Sequence, residues 1–202
     1  MHSTFVGIAG GSCSGKTTIV NALVETFDGS VSTLAFDSYY HDQGHMTLDE
    51  RALVNYDHPD SLDVELFTRD LEALRNGTAI ETPVYDFSTH TRSSEIKKVA
   101  PADLVVFDGI LLLAFPEITS LLDLRVFVEA TESTRYNRRI PRDVEERGRT
   151  SEQSRMQFVE MVQPMHELYV GPSIDYADLV IDGEQNPHLS IVEINSALQS
   201  LN

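Results

Sequence analysis

The chain has 202 residues, of which 41% are hydrophobic and 23% charged, and its formal net charge is −17. These proportions are typical of a soluble protein with a single domain, and no apolar run reaches the roughly 20 residues that a membrane span requires. The acidic balance argues against non-specific nucleic-acid binding, and the lone Cys13, together with a start that lacks a basic region and cleavage site, predicts a cytoplasmic protein.

The first part of the chain alternates predicted strands and helices. Short apolar runs rich in β-branched residues indicate buried strands, and apolar residues spaced three and four apart indicate helices with one buried face. In chain order we expect a strand over 4–10, a helix over 16–27, a strand over 32–37, a short helix within 47–56 and a helix over 63–77.

Residues 79–99 break this alternation, because TAIETPVYDF and SSEIKKVA predict two short strands around a polar turn. The alternation then resumes, although Pro141 is expected to kink or restart the helix that contains it. The whole pattern predicts an α/β fold over 1–202, a phosphate-loop type of doubly wound parallel sheet flanked by helices, with a small β-hairpin insertion. The remaining expected elements are strands over 103–109, 123–130 and 177–182, and helices over 132–147, 151–163 and 189–201.

The segment GGSCSGKTT matches the Walker A pattern between a predicted strand and a predicted helix. Glycine allows backbone N–H groups to turn inward around a phosphate, and the following helix N-terminus adds partial positive charge. Lys16 would reach the β- and γ-phosphates, and the Thr17 hydroxyl would bind Mg²⁺. The candidate nucleotide-binding residues are Gly10, Gly11, Ser12, Cys13, Ser14, Gly15, Lys16, Thr17 and Thr18.

Two aspartates are expected at the carboxyl edge of the sheet, where open α/β sheets bind ligands. Asp108, in DLVVFDG, would hold Mg²⁺ directly or through water, or would simply start a turn with Gly109. Asp37 would accept a proton from a substrate hydroxyl, or would cap the turn into SYYHD. The guanine motif N-K-x-D of GTPase switches does not occur, and a small-molecule kinase therefore suits the chain better.

The arginines concentrate between residues 135 and 150. Four of them have i, i+3, i+4, i+7 spacing, which places them on one helical face, and two more flank Gly148. Together they predict a lid that closes over the nucleotide; the alternative is a solvated face that pairs with neighbouring glutamates. The six are Arg135, Arg138, Arg139, Arg142, Arg147 and Arg149.

Strings along almost the whole chain resemble the uridine/cytidine kinases: GGSCSGKTT, FDSYYHD, NYDHPDSLD, PVYDFSTHTR, RRIPRD with ERGR, QPMHELYVGPS and YADLVID. The resemblance implies transfer of the γ-phosphate of ATP or GTP, with Mg²⁺, to the 5′-hydroxyl of uridine or cytidine in pyrimidine salvage. It also implies a homo-oligomer, since relatives are often tetramers.

The same resemblance assigns roles to individual residues. Asp37 matches the general base, and Asp57 matches a carboxylate that holds the ribose hydroxyls with Arg139 alongside. Tyr85 and His90 match residues that contact the pyrimidine, and Arg149 and Gln157 match further substrate contacts. Arg142 and Arg147 match the lid arginines, and Asn186 matches a residue near the nucleotide base.

The sequence departs from the family pattern at three positions. Asp108 stands where a glutamate is usual, Cys13 replaces a more usual small residue, and Pro141 interrupts the arginine helix. Two other functions stay open on the sequence: a phosphoribulokinase-like kinase of another small metabolite, and a nucleotide-binding regulator without activity.

Overall fold

A parallel five-stranded sheet with the order β2-β5-β1-β6-β7 forms the centre of the computed structural model, which describes residues 3–201. A separate antiparallel pair, β3 and β4, lies apart from it. The predicted α/β fold is confirmed. The strands are β1 (Thr4–Gly10), β2 (Val31–Ala35), β3 (Ile80–Asp86), β4 (Thr91–Val99), β5 (Leu104–Gly109), β6 (Leu124–Glu129) and β7 (Leu179–Asp182).

Helices cover both faces of the central sheet, and the alternation of side chains along each strand explains why. In β1, Val6 and Ile8 face one hydrophobic cluster, whereas Phe5 and Ala9 face the other. No helix of the described residues is both long and apolar enough to cross a bilayer. The helices are α1 (Lys16–Thr26), α2 (Leu48–Ala52), α3 (Val64–Arg75), α4 (Pro116–Thr119), α5 (Glu132–Glu146), α6 (Ser151–Gln157), α7 (Gln163–Met165) and α8 (Pro187–Gln199).

The strand register places the acidic residues beside the phosphate loop. Asp108 pairs with Ile8 of β1 on one side and with Ala35 of β2 on the other. Strand β2 ends at Ala35, two residues earlier than expected, and Asp37 lies in the 3₁₀ turn Phe36–Tyr39 that follows. The carboxyl edge of the sheet therefore carries both aspartates and the loop that leaves β1 at Gly10.

The β3–β4 hairpin is held by Arg92 against the segment that follows β2. Its guanidinium donates to the carbonyl oxygens of Tyr40 and Tyr39, at 2.9 and 3.2 Å, and forms a 3.2 Å ion pair with Asp63. Thr91 also donates to the carboxylate of Asp42. These contacts hold the hairpin against the turn that contains Asp37.

Helix α5 runs without a break from Glu132 to Glu146, and the predicted restart at Pro141 is wrong. Proline removes one backbone hydrogen bond, and Pro141 is exposed, where water can satisfy the freed carbonyl. The next helix also differs from its prediction over 151–163. Its α-helical part ends at Gln157 and continues as a π-helical turn over Phe158–Val162.

Candidate active site

The phosphate loop joins β1 to α1 with two glycines in the left-handed region, Gly10 at φ +138° and Gly15 at φ +112°. A Cβ at Gly10 would lie 2.3 Å from the carbonyl oxygen of Val128, so a side chain there would also collide with β6. Lys16 lies across the loop and donates to the carbonyl oxygens of Gly10 and Gly11, at 2.9 and 3.0 Å. The loop and its lysine are thus ordered around a concave backbone surface, which is the geometry that binds phosphate.

The two edge aspartates lie close enough to Lys16 to affect its pKa, and the charge of Asp37 also affects the pKa of Asp108. Burial lowers the pKa of Lys16, and the carboxylates of Asp37 and Asp108 oppose that shift. Burial and the charge of Asp37 raise the pKa of Asp108 to about 6, against the pull of Lys16. Oδ1 of Asp37 is buried and has no hydrogen-bond partner among residues 3–201. An unpaired carboxylate oxygen beside a second carboxylate is suited to a cation or to a donor hydroxyl.

Asp57 lies in the loop between α2 and the 3₁₀ turn that begins at Pro59, close enough to Asp37 for the two charges to interact. Burial raises the pKa of Asp57, while the guanidinium of Arg139 lowers it and the charge of Asp37 raises it further. The neighbouring His58 contacts the hydroxyl of Tyr169 at 3.2 Å and accepts from the backbone N–H of Asp60, also at 3.2 Å. Those contacts brace the loop that presents the Asp57 carboxylate.

Aromatic side chains form the wall between Asp57 and the hairpin. The ring of His90 stacks on Tyr56 with 4.5 Å between centroids and 11° between planes, and Tyr85 packs edgewise on Tyr56. His90 has φ +53°, which is uncommon for a residue other than glycine. Burial lowers the pKa of His90 to about 4, and the charge of Arg149 adds to this shift. Within the described residues, Nδ1 of His90 is buried and has no hydrogen-bond partner. The buried hydroxyls of Tyr56 and Tyr85 interact with each other. The wall therefore offers polar atoms to a planar ligand.

The first two arginines of α5 support the phosphate loop from outside. Arg138 donates to the carbonyl oxygens of Gly183, Ser14 and Cys13, at 3.1, 3.3 and 3.4 Å. Arg135 is buried and donates to Oε1 of Gln163 at 2.8 Å. Its side chain packs so closely on Gly11 that a Cβ added there would lie only 2.7 Å away. Both therefore lie against the phosphate loop.

The other four arginines surround one carboxylate, Asp143, whose side chain is inaccessible to solvent. Burial alone would raise the pKa of Asp143, but the facing guanidinium groups, that of Arg139 first, lower it to about 2. The predicted alternative, in which these arginines pair with glutamates, is not what the structure shows. The shortest distances to the Asp143 oxygens are 3.2 Å from Arg139, 2.7 Å from Arg142, 3.8 Å from Arg147 and 3.1 Å from Arg149.

These groups converge on a cavity of about 790 Å³. Its volume is within the usual range for a small-molecule site. The predicted site residues that line it are Ser12, Cys13, Gly15, Lys16, Thr17, Thr18, Asp37, Asp57, Tyr85, His90, Asp108, Arg139, Arg142, Arg147, Arg149 and Gln157.

Four predicted nucleotide-binding residues lie outside this lining: Gly10, Gly11, Ser14 and Asn186. The first three shape the loop from behind. Asn186 begins α8, where its Oδ1 accepts a hydrogen bond from the backbone N–H of His188 at 3.0 Å. Its neighbours Gln185 and Pro187 line the cavity in its place.

Among the residues that sequence reasoning missed, three contact predicted site residues directly. Tyr56 supports His90 and stands in the same NYDHPDSLD string as Asp57, so the string itself pointed to it. Phe87 lies 4.7 Å from the guanidinium of Arg147 and stands in PVYDFSTHTR. Asp143 follows Arg142 directly, and an acidic residue within an arginine cluster was the available signal.

Comparison with known proteins agrees with this architecture. The profile of the phosphoribulokinase / uridine kinase family matches residues 5–189. A uridine kinase of Staphylococcus epidermidis is 41% identical over 201 residues, which cover 99% of this chain and 97% of that protein. Among solved structures, one described as a possible uridine kinase from Bacillus stearothermophilus has a TM-score of 0.55 and 22% identity, with 90% of each chain covered. The phosphoribulokinase from Rhodobacter spheroides has a TM-score of 0.65 and 14% identity, with 92% of this chain and 74% of that chain covered. At those identities the two structures show the shared fold.

Proposed function

The chain belongs to the phosphoribulokinase / uridine kinase family, and from this premise we propose that it is a pyrimidine ribonucleoside kinase. It would transfer the γ-phosphate of ATP or GTP to the 5′-hydroxyl of uridine or cytidine and so form UMP or CMP. The observation that carries this proposal is the shared cavity, which brings the phosphate loop, Asp37, Asp57 and the aromatic wall together.

Asp37 is the proposed general base. Its Oδ1 is buried and unpartnered among the described residues, so it can accept the proton of an acceptor hydroxyl placed against it. Phosphoryl transfer depends mostly on positioning and on positive charge around the moving group. In this proposal Lys16, Arg142 and Arg147 supply that charge from the donor side and from α5.

The same edge fits Mg²⁺, because the Asp108 carboxyl, the unpartnered Asp37 oxygen and the Thr17 hydroxyl are the oxygen donors that this cation prefers. Thr17 and Asp108 are the residues that would hold it. When bound, Mg²⁺ would neutralise part of the phosphate charge.

The acceptor side supports a ribonucleoside in particular. In this proposal Asp57 accepts hydrogen bonds from the vicinal diol of the ribose, and the guanidinium of Arg139 favours its charged form. Nε2 of His90 lies 3.5 Å from the guanidinium of Arg149, which favours a tautomer with the proton on the unpartnered Nδ1. That N–H and the Tyr85 hydroxyl would contact the polar edge of a pyrimidine, while Arg149 and Gln157 complete the substrate contacts.

The test is a panel of acceptors with ATP, GTP and Mg²⁺, in which nucleoside diphosphate release is measured against a water blank. Uridine and cytidine are expected to give kcat/KM at least 10²-fold above ribulose 5-phosphate, because a site built around hydroxyl partners rejects acceptors that leave them unpaired. A preference for the sugar phosphate would identify a phosphoribulokinase-like kinase instead. Binding of ATP without turnover on any acceptor would identify a nucleotide-binding regulator.

The proposal includes assembly into a homo-oligomer, often a tetramer in relatives. Exposed apolar side chains such as Val159, Leu168 and Val192 are available for such contacts. Sedimentation velocity over a concentration series measures the assembly state, and a monomer at every concentration would contradict this part.

A further inference from the structure

Asp143 occupies a position that the phosphoryl-transfer chemistry does not itself require. Its carboxylate is buried and contacts neither Lys16 nor Asp37 among the described residues. It accepts hydrogen bonds from Arg142, from Arg149 and, at 3.1 Å, from the Ser154 hydroxyl, and it forms ion pairs with Arg139 and Arg147. Its backbone carbonyl accepts from the N–H groups of Arg147 and Arg149, at 3.2 and 3.1 Å. The residue thus holds the turn at Gly148 as well as the arginine side chains around it.

Four guanidinium groups gathered in one place repel one another, and a partly buried site weakens screening by water. A single carboxylate offsets one of the four positive charges, and its hydrogen bonds from Arg142 and Arg149 have a defined geometry. The remaining charge stays directed toward an anion. Without Asp143, mutual repulsion would drive the flexible side chains apart.

The arginines that Asp143 holds reach both halves of the cavity. On the donor side, Arg139 donates to the Ser12 hydroxyl of the phosphate loop at 2.9 Å. On the acceptor side, Arg149 lies 3.5 Å from His90, and Arg147 lies over Phe87. One buried carboxylate therefore links the geometry of the donor loop to that of the acceptor wall.

We propose that Asp143 is a positioning residue that holds Arg139, Arg142, Arg147 and Arg149 in register with the phosphates of the donor. The inference rests on the proposed function for the identity of the substrates. The geometry of the proposed anion site itself depends only on the phosphate loop and the four arginines.

The proposal predicts that removing the negative charge of Asp143 weakens the binding of an anion, whereas the change in net charge alone predicts tighter binding. Asp143→Asn makes the site one charge more positive, so an effect of net charge alone would tighten the binding of a polyanion. A positioning effect would weaken it, because the asparagine N–H₂ would face guanidinium donors and the arginines would separate.

The experiment measures binding of inorganic tripolyphosphate to the whole protein by calorimetry, without any nucleoside. Asp143→Asn is expected to bind it on the order of 10-fold more weakly than wild type. The matched control, Glu145→Gln, makes the same charge change at an exposed position of α5 and is expected to bind as tightly as wild type or slightly more tightly. Equal or tighter binding by Asp143→Asn, or no binding by wild type, would overturn the proposal.

Turnover supplies the second readout on folded protein. Asp143→Asn is expected to lose on the order of 100-fold in kcat/KM, since small misplacements of catalytic groups have effects of that size. In a double-mutant cycle with Arg149→Gln, the combined loss should fall short of the product of the two single losses, because both changes disturb the same contact. If the losses in kcat/KM of the two single variants simply multiply in the double variant, Asp143 and Arg149 do not act through a shared contact, which would contradict the proposal.

If Asp143→Asn does not fold, as judged by circular dichroism, Ser154→Ala decides the question. It removes one hydrogen bond to the Asp143 carboxylate without changing any charge. A few-fold weaker tripolyphosphate affinity would support positioning, and an unchanged affinity would overturn it. Failure of wild type to phosphorylate any nucleoside would refute the proposed function but leave the tripolyphosphate result decisive for Asp143.

Discussion

Asp37 is the single residue on which the proposed transfer depends most directly. Its unpartnered buried oxygen is available to a substrate hydroxyl, and an amide at that position cannot accept the proton. Asp37→Asn should therefore lower kcat by roughly 10²–10⁴-fold. Steady-state kinetics with uridine measures this, alongside calorimetric binding of an ATP analogue that should change little.

The matched control for that variant is Asp60→Asn, which makes the same chemical change at a side chain that is 91% exposed near the loop that contains Asp57. It should retain wild-type kinetics. An Asp37→Asn enzyme with wild-type kcat would remove this residue from the role of base.

His90 gives a prediction that does not depend on turnover. Burial and the charge of Arg149 hold its pKa at about 4, whereas an unperturbed histidine titrates near 6.5. The ring should therefore stay neutral from pH 8 down to about pH 5. Because the positive charge of Arg149 disfavours protonation, Arg149→Gln should raise the pKa of His90.

NMR titration of labelled histidine side chains measures both values, with the His90 signals assigned by their loss in His90→Gln. A wild-type titration near pH 6.5, or no change in Arg149→Gln, would contradict the packing described for this ring.

At the scale of elements, the phosphate loop depends on its contact with the segment after β7. A Cβ at Gly183 would lie 2.0 Å from the carbonyl oxygen of Ser14. The position of a Cβ is fixed by its own backbone and the oxygen belongs to the backbone, so neither atom can rotate away. Gly183→Ala should displace the loop, destabilise the protein by about 1–3 kcal/mol and raise the KM for ATP. Thermal denaturation and steady-state kinetics measure the two effects.

Gly44→Ala is the matched control for that change. The nearest atoms to its Cβ belong to the Asp42 carboxylate, at 3.2 Å, which is a flexible side chain that can move. Little change is expected there. A Gly183→Ala protein with normal stability and normal KM would show that the two segments adjust more easily than their backbone contact indicates.

Element types were largely predictable from sequence, because the periodicity of apolar residues reports burial directly. The α5 helix shows the limit of that reasoning. Pro141 predicted a kink or a restart, but the helix continues through this exposed position. The spacing of the arginines placed them on a common face, yet only the turn at Gly148 brings Arg147 and Arg149 back to Asp143. Periodicity within one helix cannot reveal a contact that a turn creates.

At the scale of the whole molecule, the alternation of strands and helices predicted a parallel sheet covered by helices. It did not predict the strand order, which is β2-β5-β1-β6-β7. The cavity was harder to predict from the sequence. The loop after β1, the turn after β2, the β3–β4 hairpin and α5 all contribute to it, and their mutual distances depend on packing between elements far apart in sequence. The family strings supplied the identities of Asp57, Tyr85 and His90, which local pattern alone left open.

Because four separate segments line one cavity, ligands should stabilise the entire fold. A ligand that binds only the native state adds about 2.7 kcal/mol at 100 times its Kd. For a chain of this size that corresponds to a rise in Tm of about 5–10 °C. Differential scanning fluorimetry should show such a rise with uridine and, separately, with a non-hydrolysable ATP analogue and Mg²⁺.

Asp57→Asn should lose most of the uridine shift and keep the shift from the ATP analogue, since in this proposal its carboxylate contacts the ribose and not the phosphate donor. A uridine shift that persists in Asp57→Asn, or that 2′-deoxyuridine matches in wild type at the same concentration, would show that the diol does not bind there.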